Sequence, residues 1–367
     1  MTDQEYMRLA LDLAERGRRT ARPNPMVGAV VVKDGRIVGS GYHKRPGSGH
    51  AEVNALDGVV AEGATVYVTL EPCSFTGRTP PCADLLLDRK VGRVVCAMKD
   101  PDNRVAGSGI ARLKRAGVIV EVGVLGEEAK RLNGPYLTHR RLGRPYVTLK
   151  LAQSLDGSIA ASSGDSKWIT GPGARRRGHA LRAEAQAIAV GVGTVLADDP
   201  SLDVRHIEGE SPLKVILDSS LRIPLDAKVL SGAHCVICCV EGVDSGRIQA
   251  LQDKGADVWI CDSADGRVNL DDTLRRLASE DIIHLLIEGG SAVARSGFAS
   301  EIVDRVAVFT APRLVGGLAS IGDLGFNRVD QSIRLDNRTV ERLGQDTLMM
   351  AEVMYSRGGG AECSRAS

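Results

Sequence analysis

Short apolar runs alternate with segments of helical periodicity along most of this chain of 367 residues. In the first half, strand-like runs at Val27–Val32, Thr65–Leu70 and Val91–Ala97 are separated by segments that read as helices. Such alternation is typical of an α/β sheet covered by helices. The chain is also longer than one hydrophobic core usually serves, so we expect two domains.

Local signals predict how the chain begins. Apolar residues at helical spacing predict a helix over Thr2–Arg18, and Thr2 with Glu5 matches a capping box. The dipeptide Asp34-Gly35 between two apolar runs predicts a β-hairpin. A further helix is expected over Ala51–Ala61.

A basic, glycine-containing stretch at Thr138–Pro145 predicts a linker, with the boundary near Arg144. We therefore expect one domain over 1–144 and a second over 145–355. The last residues, 356–367, contain three consecutive glycines and few apolar side chains, which predicts a disordered tail. Strands of the second domain are predicted near Tyr146–Ala152, Ala187–Val190, Lys214–Asp218, Cys235–Val240, Val258–Ile260, Ile283–Ile287 and Arg305–Thr310.

Composition narrows the possible partners. The formal net charge is +1 and aromatic residues make up 3% of the chain, which disfavours nucleic acid and anionic membrane as ligands. No apolar stretch reaches the roughly 18 residues of a membrane span, and no secretory signal is evident. The eight cysteines are irregularly spaced and predict reduced thiols. We expect a cytoplasmic homo-oligomer that acts on a small molecule.

One constellation of residues predicts a metal site. His50-Ala51-Glu52 places a ligand and a carboxylate at a helix start, and Pro72-Cys73 and Cys82 precede the next helix. A histidine and two thiolates suit Zn²⁺, and three protein ligands leave a fourth position open for the chemistry of catalysis. Zinc lowers the pKa of water to about 7, and Glu52 is then the expected general acid and base.

Other interpretations of this constellation stay open. The His-Ala-Glu sequence alone could arise by chance, and a structural zinc would need one more cysteine or histidine. The zinc deaminases that act on nucleic acids show H-x-E followed by P-C-x-x-C, whereas Ser74–Pro81 separates the two cysteines here. The longer loop therefore indicates a deaminase of another branch.

These motifs resemble those of the bacterial bifunctional riboflavin-biosynthesis deaminase-reductases. The resemblance rests on Asn24-Pro25, His50-Ala51-Glu52, Leu70-Glu71-Pro72-Cys73 and Thr79-Pro80-Pro81-Cys82. It implies a cytidine-deaminase-like three-layer domain with a mixed sheet, which removes an amino group from a phosphorylated pyrimidine. The residues that it places at the substrate are Asn24, His43, Ala51, Arg78 and Asp100. The chain departs from the family at Phe75 and at Asp102-Asn103.

The second half shows two glycine-containing turns directly after predicted strands, Gly191-Val192-Gly193-Thr194 and Glu288-Gly289-Gly290-Ser291. Both could approach phosphates, although neither is the standard dinucleotide fingerprint. The resemblance continues through Ser154-Leu155-Asp156-Gly157 and Ser166-Lys167-Trp168-Ile169-Thr170. It implies a dihydrofolate-reductase-like α/β domain that uses NADPH.

The resemblance also implies the residues of this second site. Around the cofactor it places Ala152, Trp168, Thr194, Asp198, Ser219, Gly290, Ser291, Ala292, Val293, Ala294, Arg295 and Ser296. At the substrate it places Lys150, Ser166, Arg182, Leu202, Arg205 and Glu288.

Two other functions remain to be weighed. One is a deaminase of nucleic acid or free nucleosides with an unrelated second domain, which the long cysteine loop and the scarce aromatics disfavour. The other is a zinc-stabilised binding module whose second half senses a nucleotide, because binding does not require turnover.

Overall fold

The computed structural model describes residues 1–75, 80–102 and 106–355. The chain folds into two compact units, Met1–Pro145 and Tyr146–Ser367. The predicted tail, 356–367, lies outside the described residues. No helix in the described ranges is both long enough and apolar enough to cross a membrane.

The first unit is built on a mixed sheet. In the spatial order β2-β1-β3-β4-β5, β1 pairs antiparallel with β2 and β3, and β4 pairs parallel with β3 and β5. The strands are β1 (Gly28–Lys33), β2 (Arg36–Tyr42), β3 (Thr65–Val68), β4 (Arg93–Cys96) and β5 (Ile119–Val122). The helices are α1 (Asp3–Glu15), α2 (Ala51–Leu56), α3 (Cys82–Asp88), α4 (Ser108–Arg115), α5 (Gly126–Leu132) and α6 (Gly134–Leu142).

Alternating side chains of β1 show why helices cover both faces of this sheet. Ala29 and Val31 belong to a core shared with α2, α3 and α4, whereas Val30 and Val32 belong to a core shared with α1, α5 and α6. Because successive strand residues point to opposite faces, a continuous apolar strand needs a helical layer on each side. The first unit therefore has the predicted three layers.

The local predictions for the start of the chain are confirmed. The capping box joins Thr2 and Glu5 at the start of α1. Asp34 and Gly35 turn the hairpin with φ values of 50° and 75°, the left-handed region that a tight hairpin turn requires. Helix α2 ends at Leu56, which is shorter than predicted, and Gly58 follows with a φ of 66°.

The predicted linker is wrong over most of its length. Residues 138–142 belong to α6, which begins with a proline in its first turn and buries Tyr136 and Leu137. Gly143, with a φ of 63°, ends the helix. The helix was not predicted because basic residues occupy its solvent-exposed face. The connection between the two units is therefore shorter than predicted and consists of Gly143–Pro145.

The second unit contains a longer sheet. Its spatial order is β11-β10-β9-β8-β14-β6-β15-β18-β17, in which neighbours from β11 to β15 are parallel and β18 and β17 run antiparallel. The strands are β6 (Tyr146–Ser154), β7 (Ser158–Ala160), β8 (Ala187–Gly191), β9 (Leu213–Leu217), β10 (Cys235–Cys239), β11 (Asp257–Ile260), β12 (Ser263–Ala264), β13 (Arg267–Val268), β14 (His284–Glu288), β15 (Arg305–Ala311), β16 (Leu318–Ala319), β17 (Arg334–Leu343) and β18 (Asp346–Met354).

Helices again cover this sheet on both faces. Apolar side chains of α7, α8 and α9 share one core cluster with the sheet, and those of α10 and α11 share the other. These helices are α7 (Pro172–Glu184), α8 (Val192–Asp198), α9 (Ser245–Gln252), α10 (Leu270–Ser279) and α11 (Ser291–Ala299). Because β9, β8, β14 and β6 are parallel neighbours, their carboxyl ends lie at one edge, where ligands of open α/β sheets bind.

Candidate functional site

The predicted zinc ligands converge in the first unit. His50 is the residue before α2, Cys82 is the first residue of α3, and Cys73 lies in the loop that follows β3. Their ligand atoms all lie within 4.8 Å of one another, with His50 Nδ1 at 3.2 Å from Cys82 Sγ and 3.5 Å from Cys73 Sγ. One imidazole and two thiols at this spacing fit Zn²⁺.

The two thiols of this cluster differ in acidity. A hydrogen bond with the Cys82 thiol, followed by one with His50, lowers the pKa of Cys73 to about 4 despite burial. The Cys82 backbone N–H also donates to Cys73 Sγ at 3.3 Å. The same pairing with Cys73 raises the pKa of Cys82. Cys73 therefore ionises first, and a thiolate is the form that binds a metal.

Glu52 lies beside these ligands and is almost wholly buried. Its carboxyl is close enough to His50, Cys73 and Cys82 for each of them to influence its pKa. Burial raises the pKa of Glu52 to about 7, although the neighbouring His50 opposes the rise. A carboxyl with a pKa near neutrality can both accept and return a proton, which suits the predicted acid and base role.

Asn24 and His43 contact each other in the first unit. Asn24 Nδ2 donates to His43 Nε2 at 3.0 Å, and the other ring nitrogen, Nδ1, donates to the carbonyl of Gly49 at 3.3 Å. The two bonds together require a neutral imidazole with its proton on Nδ1. His43 thereby orients the Asn24 amide.

The other predicted substrate residues of this unit differ in availability. The side chain of Ala51 is buried in the core, so only its backbone can meet a substrate. Asp100 is also buried, and its carboxylate accepts from Tyr136 Oη at 3.0 Å and from the Asp102 N–H at 2.9 Å. Arg78 lies outside the described residues.

Glu71 shapes the loop next to this site and was missed by sequence reasoning. Its buried carboxylate accepts from the backbone N–H groups of Asp100 at 3.3 Å, Gly107 at 2.9 Å, Gly109 at 3.0 Å and Ile110 at 3.2 Å. The last of these lie at the start of α4, where a carboxylate is favourable. Glu71 thus fixes α4 against the segment that carries Cys73.

In the second unit, three predicted substrate residues form one charged cluster. Arg182 Nε and Nη2 donate to the two carboxylate oxygens of Glu288 at 2.8 and 3.0 Å, and Lys150 Nζ lies 3.4 Å from Glu288 Oε2. Burial alone would raise the pKa of Glu288, but the charges of Arg182 and Lys150 hold it well below its usual range. Glu288 is therefore a fixed anion between two cations.

Other predicted residues meet at the carboxyl ends of the strands. Ser166 Oγ donates to Asp198 Oδ1 at 3.2 Å. The turns that follow β8 and β14 lie close together, since a Cβ added to Gly289 would be only 3.1 Å from Thr194 Oγ1. Gly289 also has a φ of 145°, so a side chain there would be strained as well as crowded.

Trp168 presents an exposed ring in the second unit. The Arg175 guanidinium lies 4.6 Å from the ring centroid, and Arg313 Nη1 donates to the Trp168 carbonyl at 3.1 Å. Arg175 thus contacts the indole and Arg313 holds the backbone of the same residue, while much of the ring stays exposed to solvent. An exposed aromatic surface suits a flat ligand.

The remaining predicted residues lie within or just after neighbouring strands of the sheet. Ala152 is in β6, Ser219 follows β9, and Gly290 leads into α11, whose first residues are Ser291–Ser296. Ser219 Oγ accepts from the Val268 N–H at 3.1 Å, so that oxygen is already engaged by β13. The Leu202 side chain is buried in a core cluster, which leaves its backbone to face a ligand.

Sequence reasoning also missed two acidic residues of the second unit. Asp156 accepts from Ser154 and Ser158 hydroxyls and from the backbone of Val315 and Gly316 at 3.0 and 2.7 Å, and so joins two distant loops. Asp203 lies 2.9 Å from Lys214 Nζ. Apart from the motif that contains Asp156, nothing local in the sequence marks either contact.

Two family models match the chain, one for each unit. Residues 1–98 match the cytidine and deoxycytidylate deaminase zinc-binding region, and residues 145–349 match the RibD C-terminal domain. These matches confirm the predicted cytidine-deaminase-like and dihydrofolate-reductase-like α/β domains. They also confirm zinc and NADPH as the cofactors of the two activities.

Full-length relatives match both units together. The riboflavin biosynthesis protein RibD of Aquifex aeolicus is 44% identical over 350 residues, which covers 95% of this chain and 97% of that protein. The structure of Acinetobacter baumannii RibD gives a TM-score of 0.85 at 37% identity over 96% of this chain and 99% of that chain.

The solved diaminohydroxyphosphoribosylaminopyrimidine deaminase/5-amino-6-(5-phosphoribosylamino)uracil reductase of Thermotoga maritima gives a TM-score of 0.82 at 34% identity, over 96% of this chain and 99% of that chain. The chain is therefore a member of the RibD family, the bifunctional deaminase-reductases of riboflavin biosynthesis.

Proposed function

We propose that the first unit deaminates 2,5-diamino-6-(5-phosphoribosylamino)pyrimidin-4(3H)-one and that the second unit reduces the ribosyl group of the product, 5-amino-6-(5-phosphoribosylamino)uracil. The final product is 5-amino-6-(5-phosphoribitylamino)uracil. The name of the Thermotoga maritima relative supports these substrates. The observation that carries the proposal is the buried Glu52 carboxyl beside the cluster of His50, Cys73 and Cys82.

Deamination exchanges the 2-amino group of the ring for an oxygen from water and releases ammonia. His50, Cys73 and Cys82 would hold Zn²⁺, which would lower the pKa of a water molecule to about 7. Glu52 accepts the proton that water gives up and delivers it to the departing nitrogen. Its burial excludes bulk water from this transfer, and its position next to the ligands brings both proton sites within reach.

We assign recognition of the pyrimidine ribotide in the first unit to Asn24, His43, the backbone of Ala51, Arg78 and Asp100. The hydrogen bond from Asn24 to His43 supports a ring-binding role for the Asn24 carbonyl oxygen. Asp100 acts through the loop that it organises, since Tyr136 and the backbone of Asp102 already occupy its carboxylate. Arg78 supplies a cation suited to phosphate.

In the second unit, opening of the ribose ring leaves a C1=N bond to be reduced. NADPH bound in this unit would supply a hydride for C1, and the adjacent nitrogen needs a proton. We assign that proton to Lys150, because Glu288 is held as an anion and has none to give. Glu288 in turn orients the Lys150 ammonium and the Arg182 guanidinium. Ser166, Arg205 and the backbone of Leu202 complete the predicted substrate contacts.

The cofactor residues proposed for this unit lie at the carboxyl edge of β9, β8, β14 and β6. The close approach of Gly289 to Thr194 leaves a narrow turn at which backbone N–H groups of α11 can face phosphate. Trp168 offers the aromatic surface, and Asp198 is held by Ser166. The full set is Ala152, Trp168, Thr194, Asp198, Ser219, Gly290, Ser291, Ala292, Val293, Ala294, Arg295 and Ser296.

We further propose that the enzyme is a cytoplasmic homo-oligomer that uses small molecules and not nucleic acid. The cysteines in the described ranges are all free thiols, which suits a reducing compartment. The second unit exposes large apolar side chains at Leu314 (77%), Val329 (90%) and Val340 (71%), which contact with a second copy would cover.

The test is to incubate the zinc-loaded protein with the diaminopyrimidine ribotide and NADPH while ammonia and nicotinamide absorbance are recorded. A parallel sample is stripped of metal by a chelator. We expect ammonia release to precede NADPH consumption, and we expect the chelator to stop both. Adding the deaminated ribotide to the stripped sample should restore NADPH consumption.

Two outcomes would contradict the proposal. Ammonia release without any NADPH consumption would remove the assigned reductase substrate. Absence of ammonia with this ribotide, but release from cytidine or single-stranded RNA, would replace the proposed substrate of the first unit.

A further inference from the structure

Segment Ser201–His206 lies in the connection from α8 to β9 and carries two of the predicted substrate residues, Leu202 and Arg205. In the described chain, no backbone-to-backbone hydrogen bond holds this segment. Leu202 and His206 also have φ values of 57° and 67°, which are uncommon for residues other than glycine. Side chains must therefore give the segment its shape. One of them belongs to the same loop, since the Ser211 hydroxyl accepts from the Val204 N–H at 3.0 Å.

One anchor from another element is an ion pair between a buried lysine and the half-buried Asp203. Lys214 in β9 is fully buried, and its Nζ lies 2.9 Å from Asp203 Oδ1 and donates to the Ser231 carbonyl at 2.6 Å. The Asp203 carbonyl accepts from Arg182 Nη1 at 3.0 Å. Removing a lysine charge from water costs free energy, so a buried lysine stabilises a fold less than an apolar side chain of similar size. The role of the pair is therefore to fix the position of Asp203 next to Arg182.

The second anchor from another element is a histidine of α7. The Arg205 backbone N–H donates to His179 Nδ1 at 3.1 Å. His179 is buried, and it precedes Arg182 by nearly one helical turn, so both side chains project from the same face of α7. The His206 ring meets the His179 ring edge-on at 5.1 Å between centroids.

The accepting nitrogen must carry no proton, so His179 acts as a neutral imidazole. Burial is the largest cause that lowers the pKa of His179, to about 4, and the nearby charges of Arg182, Arg205 and His206 add to it while Glu288 opposes it. Burial and the neighbouring positive charges thus keep His179 neutral, which is the form that accepts a hydrogen bond from the Arg205 N–H.

We propose that His179 is a positioning residue of the reductase site. It holds the backbone at Arg205 so that the Arg205 guanidinium meets the substrate beside Arg182, while Lys214 fixes the same segment at Asp203. The proposal rests on the proposed function of the second unit. His179 itself touches neither the reacting atoms nor the cofactor.

Two variants separate the hydrogen bond from simple packing. His179→Asn keeps an acceptor oxygen near the place of Nδ1, whereas His179→Leu fills similar volume without an acceptor. If the Arg205 N–H loses its acceptor, the free energy of holding the segment in its binding conformation rises, which would weaken substrate binding by about 5-fold to 100-fold. For His179→Leu we expect the KM of the deaminated ribotide to rise within that range, with the KM of NADPH and the rate of ammonia release unchanged. His179→Asn should stay near the wild type.

Hydrogen exchange at the Arg205 amide supplies a second measurement that does not depend on activity. We expect protection of this amide in the wild type and in His179→Asn, and its loss in His179→Leu. Equal KM values for the two variants, an equal rise in the KM of NADPH, or lost protection with no change in the ribotide KM would each overturn the proposal. A wild type that protects the amide but never consumes NADPH would instead refute the proposed function.

Discussion

Two buried glutamates show how neighbouring groups decide what a carboxyl can do. Burial raises the pKa of Glu52 to about 7, because the cations that face it are too few to offset the loss of water. Glu288 is also buried, but Arg182 and Lys150 hold its pKa well below the usual range. The first carboxyl can therefore carry a proton, whereas the second serves as a permanent negative charge.

This contrast predicts the effect of changing Glu52 to glutamine. Glu52→Gln keeps the size of the side chain but removes proton transfer, so ammonia release should fall by about 10²-fold to 10⁴-fold. Zinc content, measured by atomic absorption, should stay at the wild-type level because His50, Cys73 and Cys82 are intact.

Glu62→Gln provides the control, since the Glu62 side chain is 67% exposed and lies outside the ligand cluster. Unchanged ammonia release in Glu52→Gln would contradict the assignment of the proton carrier. A variant that loses its zinc would show that Glu52 helps to hold the metal.

At this scale the sequence predicted the residues whose signal is local. His50, Glu52, Cys73 and Cys82 lie in short motifs with a chemical reason for their spacing, and the structure brings them together. Glu71 and Lys214 were not predicted, because their partners are backbone groups or side chains of other segments. A buried lysine inside an apolar strand is visible only as an irregularity until its partner is known.

At the scale of elements, one charged cluster fixes α1 to the sheet of the first unit. Arg93 in β4 donates to both carboxylate oxygens of Asp3 at 3.0 and 2.6 Å, and Tyr67 Oη in β3 donates to Asp3 Oδ1 at 2.6 Å. The hydrogen bonds from Arg93 and then Tyr67 lower the pKa of Asp3 to about 2. Asp3 also lies in the first turn of α1, where a negative charge is favourable.

Because the pKa of Asp3 is lower in the folded chain than its ordinary value of 3.8, the ionised group stabilises the fold above that value. The contribution is lost as pH falls through the window from 3.8 to about 2. Asp3→Asn should reduce the free energy of unfolding by less than about 1 kcal/mol at neutral pH, since the cluster is partly exposed. Urea unfolding at pH 6 and at pH 3 measures the difference.

Asp12→Asn is the matched control, because Asp12 is an exposed aspartate of the same helix. The difference between wild type and Asp3→Asn should shrink toward low pH, whereas that for Asp12→Asn should stay small throughout. If the difference in unfolding free energy between wild type and Asp3→Asn grew as the pH fell, the proposed stabilisation by ionised Asp3 would be wrong.

Elements were predictable where their apolar pattern matched their period. Strands β8, β10 and β14 were found because both faces are buried and their sequences are almost continuously apolar. Strand β17 was missed because it is an edge strand exposed along nearly its whole length, so no alternation marks it. Helix α6 was taken for a linker because its basic residues outnumber the few side chains that it buries.

At the scale of the whole molecule, each unit has its own sheet and its own cluster of predicted site residues. The first has its own mixed sheet, its own cores and the cluster of His50, Cys73 and Cys82. The second has a separate sheet, with Lys150, Arg182 and Glu288 in contact near its carboxyl edge. No charge or ligand of one cluster belongs to the other, so the two activities should respond separately to substitution.

Cys73→Ser and Lys150→Met form a reciprocal pair that tests this independence. Serine is a poor zinc ligand, so Cys73→Ser should lose bound zinc and ammonia release together while NADPH consumption on the deaminated ribotide stays near the wild-type rate. Lys150→Met removes the proposed proton donor and should lower NADPH consumption by about 10²-fold to 10⁴-fold with ammonia release intact. Each variant is the folding control for the other, because each must retain one full activity. Loss of both activities in either variant would mean that the units depend on each other, and the separate treatment of their sites would then be wrong.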